Sequence, residues 1–433
     1  MRHQRGSHSP KIARDLESRL AGVSDDETVP VIIRYREGAT ARLPKAPEMQ
    51  VTHLYRVFPA IAARLPARQV QRLAADDVVE RLWLDFRVRA FLDKAVPAIG
   101  GPTAWEAGFT GKGVTVAVLD TGIDTEHPDF GDRIVAASNW LKSPGQGDSG
   151  LWGSRDRSAT DGNGHGTHIA GIVGGDGAAS DGRYRGVAPE ASLLVGKVLY
   201  DDGSGDASDV IAGLEWAYSK GAQVACLSLG GADAGDGTDA LSVACDELVE
   251  RGLIICVAAG NAGPRAYTIG PPGCARQVIT VGAADLSRGA DGAIVVATFS
   301  SRGPTSDRRV KPDLVFPGVG IVSCRASSGS MGDPVAEAGE FYARASGTSM
   351  AAPFAAGACA LLLQASPEAT PNQVRENLCG AASALGEDAN ARGSGLGNVA
   401  AALKLAQERP ALPEPRKEGR GCLFSFLPRS RRG

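Results

Sequence analysis

A lone serine stands at the start of an apolar, alanine-rich stretch, where a nucleophile could be held. Ser349 lies in Gly347-Thr348-Ser349-Met350-Ala351-Ala352-Pro353, and the apolar residues that follow predict a helix. A serine at this point lies beside free backbone N–H groups and the positive end of the helix dipole, which suits attack on a carbonyl carbon. Serine is also a common N-cap before a buried helix, so this stretch alone leaves both interpretations open.

A serine nucleophile requires a base, and the candidate is a histidine between glycines. The chain has only six histidines, and His165 lies in Asp161-Gly162-Asn163-Gly164-His165-Gly166-Thr167-His168. An imidazole has a pKa near neutrality and can be oriented through its second nitrogen, so His165 is a candidate general base. We expect His168 to be a packed structural residue. A zinc site made of His165, His168 and Asp120 is the competing interpretation, although no HExxH pattern accompanies it.

Two polar residues directly follow apolar stretches that read as strands. Asp120 follows the stretch 114–119, and Asn261 comes shortly after the stretch 253–258. The carboxyl ends of parallel strands face the functional crevice of an open sheet, so a carboxylate there could orient the imidazole and an amide could donate to an oxyanion. Each residue also has a structural interpretation, because Asn-Gly-rich segments form turns and aspartates cap them. Other aspartates close to Asp120 could serve instead, namely Asp124, Asp129 and Asp132.

From Gly113 onward, strand patterns alternate with helix patterns. Continuous apolar runs predict strands over 114–119, 192–199, 222–229, 253–258, 278–283 and 294–299. Helical spacing of apolar residues predicts helices over 207–220, 239–250, 350–364, 371–379 and 398–407. This alternation predicts right-handed βαβ units, and therefore a three-layer, doubly wound α/β fold with a mostly parallel sheet.

A smaller α+β unit is predicted ahead of this domain. Strands are expected over 29–35 and 53–58, a short helix over 66–75, and two extended runs within 78–92. The resulting division has four parts: a polar and disordered leader (1–27), the small unit (28–93), the large domain (94–407), and a Pro-rich and basic tail (408–433). A stretch rich in Pro and Gly after residue 94 reads as a linker or processing region.

Bulk composition narrows the possible partners and compartment. A net charge of −3 gives no reason to expect nucleic acid, and the longest apolar run (351–363) is short and contains Pro353, so no membrane span is expected. The first 26 residues lack an apolar signal-peptide core, which favours a cytoplasmic or non-classically exported protein over a secreted one. The eight cysteines lack CxxC spacing and read as mainly reduced core residues.

Taken together, the three motifs resemble the subtilisin-like serine peptidases, or subtilases. The block Asp120-Thr121-Gly122-Ile123-Asp124, the histidine block and the serine block occur in the Asp, His, Ser order of that family, separated by 45 (165 − 120) and 184 (349 − 165) residues. The resemblance covers about 95–405, and the small unit resembles the family's inhibitory propeptide. The resemblance to subtilases implies a serine endopeptidase that forms an acyl-enzyme on Ser349 and requires no cofactor for its chemistry.

The resemblance also implies a role for each site residue. Asp120, His165 and Ser349 form a catalytic triad, and Asn261 forms the oxyanion hole with the backbone N–H of Ser349. Peptide or protein substrates would bind in an extended conformation against small residues, with apolar or broad preference. The substrate-binding residues are Gly203, Ser204, Gly205, Ser228, Leu229, Gly230, Gly231, Ala258, Ala259, Gly260 and Gly270.

Maturation and calcium are further expectations from the resemblance. The N-terminal unit would inhibit the enzyme within the same chain until self-processing near Leu92 to Ala95. Asp129 matches a family calcium ligand, although the segment 174–185 lacks the family's asparagine-containing calcium loop. The alternatives are a catalytically silent peptide-binding protein, a metallohydrolase using His165 and His168, and a peptide ligase.

Overall fold

A computed structural model describes residues 9–36, 48–55, 58–85, 87–90, 96–141, 158–231, 233–286, 294–334 and 340–408. The helices are α1 (Arg14–Ala21), α2 (Ala67–Ala74), α3 (Gly101–Glu106), α4 (His165–Gly174), α5 (Ala207–Ser219), α6 (Ala240–Glu250), α7 (Thr348–Ala365), α8 (Pro371–Gly380), α9 (Ala389–Arg392) and α10 (Val399–Glu408). The strands are β1 (Thr28–Tyr35), β2 (Gln50–Leu54), β3 (Ala60–Pro66), β4 (Val79–Leu84), β5 (Arg87–Ala90), β6 (Thr115–Asp120), β7 (Ile134–Asn139), β8 (Ser192–Lys197), β9 (Ser204–Asp206), β10 (Val224–Leu227), β11 (Leu229–Gly230), β12 (Ile254–Ala258), β13 (Ile279–Asp285), β14 (Val295–Val296), β15 (Leu314–Pro317), β16 (Ile321–Cys324), β17 (Asp333–Pro334) and β18 (Tyr342–Ala345).

The N-terminal domain is an antiparallel sheet in the order β2-β3-β1-β4, packed against α1 and α2. The predicted helix near 66–75 is present as α2, with Val70 and Leu73 buried. The prediction of a disordered leader over residues 1–27 is wrong for the part that the structure describes. Residues 14–21 form α1, and Leu16 is fully buried in the domain core, so the polar composition of this segment concealed one apolar anchor.

The predicted strand over 53–58 is also misplaced. The structure forms two strands around this point, β2 ending at Leu54 and β3 beginning at Ala60, which pair with each other in an antiparallel ladder. Tyr55 and Phe58, which lie between these two strands, are buried and pack against the large domain. The apolar side chains that suggested a strand here are therefore explained by contact with the neighbouring domain.

The large domain is built on a sheet in the order β14-β13-β12-β10-β6-β8-β7, with β15 also paired to β13. All pairings are parallel except that of β14, which runs antiparallel to β13. Both faces of the sheet are covered. In β6, Val116 and Val118 face the layer that contains α4 and α7, while Ala117 and Leu119 face α5 and α6. The predicted three-layer α/β architecture is confirmed.

Helix α7 runs through the middle of the molecule. Within the described residues it is the one helix long and apolar enough to cross a bilayer, but 89% of its apolar window is buried inside the protein. It contacts strands β10, β12 and β13 as well as helices α4 and α10. The prediction of a core helix here is confirmed, and its first turn brings Ser349 to the carboxyl ends of the parallel strands.

Candidate active site

Asp120 and His165 form a buried pair. Asp120 is the last residue of β6 and His165 is the first residue of α4, and the Asp120 Oδ1 lies 2.6 Å from the His165 Nδ1. The backbone N–H of Thr121 donates to the same oxygen at 2.7 Å, which fixes the carboxylate. Because Nδ1 faces a carboxylate, that nitrogen carries the proton, and Nε2 is left as the atom that can accept one.

A glycine allows α4 to approach the aspartate block closely. A Cβ on Gly166 would lie 2.1 Å from the carbonyl oxygen of Gly122, a distance that no side chain tolerates. The residue after His165 must therefore be glycine if the imidazole is to reach Asp120. Gly166 is therefore required for packing, and this packing permits the 2.6 Å contact between His165 and Asp120.

Ser349 lies in the first turn of α7 and is joined to Ser228, the residue after β10, by two hydrogen bonds. The Ser349 Oγ–H donates to the Ser228 carbonyl at 3.0 Å, and the Ser228 Oγ–H donates to the Ser349 carbonyl at 2.5 Å. Pro353 explains the second bond. Its missing N–H would otherwise serve the Ser349 carbonyl four residues earlier, so Ser228 satisfies that acceptor instead.

The Ser349 Oγ is thus within hydrogen-bonding distance of the Ser228 carbonyl oxygen. The structure brings Asp120 and His165 together. To act as the predicted nucleophile, Ser349 would exchange its bond to the Ser228 carbonyl for one to the predicted base. A rearrangement of this kind is common, because catalytic hydrogen bonds often tighten only when substrate is bound.

Asn261 is held so that its amide nitrogen is available as a donor. Its Oδ1 accepts from the backbone N–H of Thr348 at 2.9 Å and from the Thr348 hydroxyl at 3.0 Å. The Thr348 Oγ1 also accepts from the N–H of Gly260 at 3.1 Å. With the oxygen engaged, the NH2 group is the end that can face an oxyanion. The Ser349 N–H belongs to the first turn of α7, whose N–H groups have no acceptor within the helix.

The segments predicted to bind substrate form the two sides of a cleft. β9 begins after Gly203 and contains Ser204 and Gly205, while β11 consists of Leu229 and Gly230. Both are outer strands of a three-stranded antiparallel sheet whose central strand is β5. Residues 87–90 of the chain itself therefore lie extended between the two segments that carry the predicted substrate contacts.

The remaining predicted pocket residues cluster at the end of β12 and in the loop that follows it. Ala258 and Ala259 are buried, and Gly260 comes directly before Asn261. A Cβ on Gly270 would lie 2.2 Å from the carbonyl oxygen of Gly231, so the chain from β11 packs directly on this glycine. The roles of these residues in binding substrate stay predictions.

His168 is fully buried one helical turn after His165. Its Nε2–H donates to the Ala343 carbonyl at 3.1 Å. Burial lowers the pKa of His168 to about 3, so the ring is neutral at physiological pH. This matches the expected structural role. A metal site made of His165, His168 and Asp120 is not supported, because the group of potential ligands that lie close enough to share an ion, among the residues the structure describes, is His127, Asp129 and Cys324.

The surroundings of Asp129 do not fit calcium. Its carboxylate accepts from the Tyr342 hydroxyl (2.8 and 2.9 Å to the two oxygens), from the Ala179 N–H (2.9 Å) and from the Cys324 thiol (3.5 Å). Calcium takes six to eight oxygen ligands that offer lone pairs. Here the Asp129 carboxylate accepts from O–H, N–H and S–H donors. This geometry suits a hydrogen-bonded structural residue and not the predicted calcium ligand.

A transition metal does not fit the same cluster either, although His127, Asp129 and Cys324 lie close together. The His127 Nε2–H donates to the Phe341 carbonyl at 2.8 Å, and its Nδ1 accepts from the Asp129 N–H at 3.2 Å. Burial, and then the charge of Asp129, raise the pKa of the Cys324 thiol well above its usual value. The imidazole has no free nitrogen, and the sulfur keeps its proton.

Sequence reasoning gave no supporting role to the residues that hold the site together, although Ser228 was predicted to bind substrate. Thr348 and Ser228 hold Asn261 and Ser349 through their hydroxyl groups, and Asp161 joins the two catalytic blocks as described below. Their signal in the sequence was weak, since a serine or threonine beside a catalytic motif has no distinctive spacing. Pro353 was the most usable clue, because it lacks the N–H that would donate to the Ser349 carbonyl within the helix.

A serine at a helix start, a carboxylate-bound imidazole and an oriented amide donor, all on an α/β fold, define a serine hydrolase. The chain belongs to the subtilase family, whose model matches residues 111–397. It is 40% identical over 338 residues to the serine protease AprX of Bacillus subtilis, covering 74% of this chain and 73% of AprX. It is 33% identical to an alkaline protease of Alkalihalobacillus alcalophilus over 90% of this chain and 92% of that protein. Identity to subtilisin DY of Bacillus licheniformis is 36%, over 71% and 97% respectively.

These findings establish the class of activity. The protein is a subtilisin-like serine endopeptidase, a hydrolase that requires no cofactor for its chemistry. Its substrates are proteins or peptides.

Proposed function

We propose that this endopeptidase is made as a zymogen whose N-terminal domain inhibits it until the chain cuts itself. The observation that supports this most directly is the position of β5. Val88 lies opposite Gly205 on one side, and Ala90 lies opposite Leu229 on the other. Main-chain pairing on both edges is how an extended peptide occupies a cleft, so the segment 87–90 excludes a substrate from the same place.

Contacts between the domains hold the inhibitor in place. The Asp85 carboxylate accepts from the backbone N–H of Ser208, in the first turn of α5, at 2.8 Å. The Tyr55 hydroxyl donates to the Ser208 carbonyl at 3.1 Å. Arg34 lies 2.5 Å from Glu247 on α6. An acidic cap at a helix N-terminus and a partly buried ion pair give this surface orientation as well as affinity.

The proposed reaction follows from the geometry of the site. The His165 Nε2 takes the proton of Ser349 as the hydroxyl oxygen attacks the substrate carbonyl, and Asp120 stabilises the imidazolium. The NH2 group of Asn261 and the Ser349 N–H stabilise the negative oxygen. The imidazolium then gives its proton to the leaving amine, and a water molecule releases the acyl group from the serine.

The β5 register supports a first cut soon after Ala90. Ala90 pairs with Leu229, and the next residue of the cleft edge is Ser228, whose carbonyl accepts from the nucleophile. Peptide bonds just beyond Ala90 are therefore the first that this strand can present to Ser349. The predicted processing site, Leu92 to Ala95, lies outside the described residues. The new N-terminus, read by mass spectrometry, is expected within 91–95.

One variant tests self-processing. Purified Ser349→Ala, kept free of other proteases, should retain its N-terminal domain, whereas the wild-type chain loses it. If the alanine variant lacks peptidase activity but still loses the domain at the wild-type rate, self-processing is wrong.

An apolar or broad substrate preference is proposed for the pocket before the scissile bond. The residues assigned to it, Ala258, Ala259, Gly260 and Gly270, carry no charge and little volume. A pocket without an acidic group cannot pair a lysine or arginine side chain, so selectivity should follow size and apolar area. Profiling with a peptide library tests this, and strict cleavage after arginine would overturn it.

We also propose that the enzyme works in a reducing compartment. In the described ranges every cysteine is a free thiol, and six of these seven are buried. The thiols of Cys256 and Cys359 form a hydrogen bond, with their sulfurs 3.8 Å apart, and not a disulfide. Such a core suits the cytosol better than an oxidising space. Localisation of the tagged protein in its native cell tests this proposal.

A further inference from the structure

Asp161 is a fully buried carboxylate that accepts five hydrogen bonds. Its Oδ1 accepts from the Thr121 hydroxyl at 2.8 Å and from the backbone N–H groups of Gly164 at 2.7 Å and Asn163 at 3.2 Å. Its Oδ2 accepts from the Thr167 hydroxyl at 2.7 Å and the Thr167 N–H at 2.8 Å. The donors come from both catalytic blocks, since Thr121 follows Asp120 and Thr167 follows His165 by two residues.

The two threonines cross between the blocks. The Thr121 Oγ1, in the aspartate block, accepts from the N–H of Gly166 at 2.9 Å. The Thr167 Oγ1, in the histidine block, accepts from the N–H of Asp124 at 2.9 Å. Each hydroxyl therefore accepts from the opposite block and donates its single proton to Asp161. The Asp161 carboxylate thus accepts from both of the threonine hydroxyls that connect the end of β6 with the start of α4.

We propose that Asp161 is a positioning residue for the Asp120–His165 pair. A hydroxyl has one proton, and an ionised carboxylate can only accept, so Asp161 fixes the direction of both threonine hydroxyls. Their lone pairs are then held toward Gly166 and Asp124. Without this constraint either hydroxyl can turn, and the helix that carries His165 is no longer tied to the strand that carries Asp120.

A helix-capping role alone does not account for this arrangement. Capping a helix requires only that the N–H groups at its start have acceptors. Asp239 caps α6 in this way, because its carboxylate accepts from the Ser242 N–H at 2.8 Å. At Asp161, two hydroxyls from different blocks supply further donors.

The test is Asp161→Asn, with Asp239→Asn as a matched control that neutralises a helix cap away from the catalytic pair. An amide places NH2 against donors that need an acceptor. Misplacement of a catalytic group by about 1 Å costs on the order of 10²-fold, so kcat should fall by about 10- to 100-fold with little change in KM.

A second pair of variants separates positioning from folding. Thr121→Val removes one crossing hydroxyl and should reduce kcat, whereas Thr121→Ser retains the hydroxyl and should restore it. All chains are matured with a trace of wild-type enzyme, and rates are divided by the concentration of folded protein from circular dichroism. If Asp161→Asn does not fold, the two Thr121 variants decide the matter.

The proposal is overturned if Asp161→Asn matches Asp239→Asn in kcat and in KM, or if Thr121→Val and Thr121→Ser are equally active. This inference rests on the proposed catalytic mechanism, but the two fail differently. A wild-type chain whose Ser349 does not react with a fluorophosphonate contradicts the mechanism itself. A reactive wild-type chain with unaltered Asp161 variants contradicts only the positioning role.

Discussion

The Tyr342 hydroxyl oxygen lies 2.8 Å from Oδ2 of the buried Asp129 carboxylate. Burial, with further contributions that include the charge of Asp129, raises the pKa of the phenol, so it keeps its proton and donates it. A position that resembles a family calcium ligand is in this chain surrounded by protein donors. The Tyr342 hydroxyl and the Ala179 N–H both donate to the Asp129 carboxylate and stabilise its negative charge.

Tyr342→Phe should therefore destabilise the protein without creating a calcium requirement. Removing a hydrogen bond to a buried charge costs about 1–3 kcal/mol, and the melting temperature of the matured enzyme should fall by several degrees. For the wild type, melting curves with EDTA and with added calcium should coincide. A rise of several degrees in the wild-type melting temperature on adding calcium would contradict this account, unless Asp129→Asn shows the same rise.

Asn261→Ala should lower kcat with little effect on KM. The amide donates to charge that develops only in the transition state, and loss of this donor costs about 10² to 10³ in subtilisin, from which the figure is taken. Thr348→Val should produce a smaller loss of the same kind, because it releases the Asn261 Oδ1 from its hydroxyl partner. Steady-state kinetics with one peptide substrate distinguish the two. Unchanged kcat in Asn261→Ala would exclude it from the oxyanion hole.

Asp85→Asn should shorten the time for which the processed chain stays inhibited. The carboxylate accepts from the Ser208 N–H at the start of α5, and a neutral amide interacts less well with that helix terminus. Activity after dilution of freshly processed enzyme should appear with a shorter lag, by a factor of about 3 to 10. Glu27→Gln is the control, since Glu27 pairs with Arg19 on the exposed surface of the same domain. Equal lags in the two variants would argue against inhibition through this contact.

His168 should make the enzyme sensitive to acid. Its pKa is about 3 in the folded state against 6.5 for the free residue, because burial disfavours the charged ring. The unfolded chain therefore binds the extra proton first. The contribution of neutral, buried His168 to the free energy of unfolding is fully present above pH 6.5. It is lost as the pH falls toward 3, by roughly 5 kcal/mol at most. His168→Gln retains a donor for Ala343, and its unfolding free energy should fall less steeply in this range. Parallel pH dependences in urea titrations would contradict this assignment.

Local patterns in the sequence predicted much of the scaffold. The continuous apolar run of β6 and the helical spacing of α5 and α6 were sufficient, because strands buried on both faces and helices packed on them leave clear periodicities. The order of the three catalytic blocks then supplied the family. Asp120 and His165 were predicted to interact and do so at 2.6 Å.

Other elements depend on distant contacts and left no local pattern. β7 alternates partly buried and exposed positions over its first four residues and contains small residues. β15 has only four residues and ends in proline, so neither strand resembles a core strand in isolation. The short β5 becomes a strand only between two partners that follow it by more than a hundred residues. The Asp161 network was hidden for the same reason, since its donors come from two separate segments.

The central claim is that Ser349 is the nucleophile of this subtilase, activated by His165. The most direct measurement is labelling of the matured enzyme with a fluorophosphonate, followed by mass mapping of the modified peptide. We predict one modified residue, Ser349, with no label on Ser349→Ala and a large loss of labelling rate in His165→Ala. A folded, matured wild-type enzyme that cleaves peptides but is not labelled, or is labelled equally well without His165, would contradict the claim.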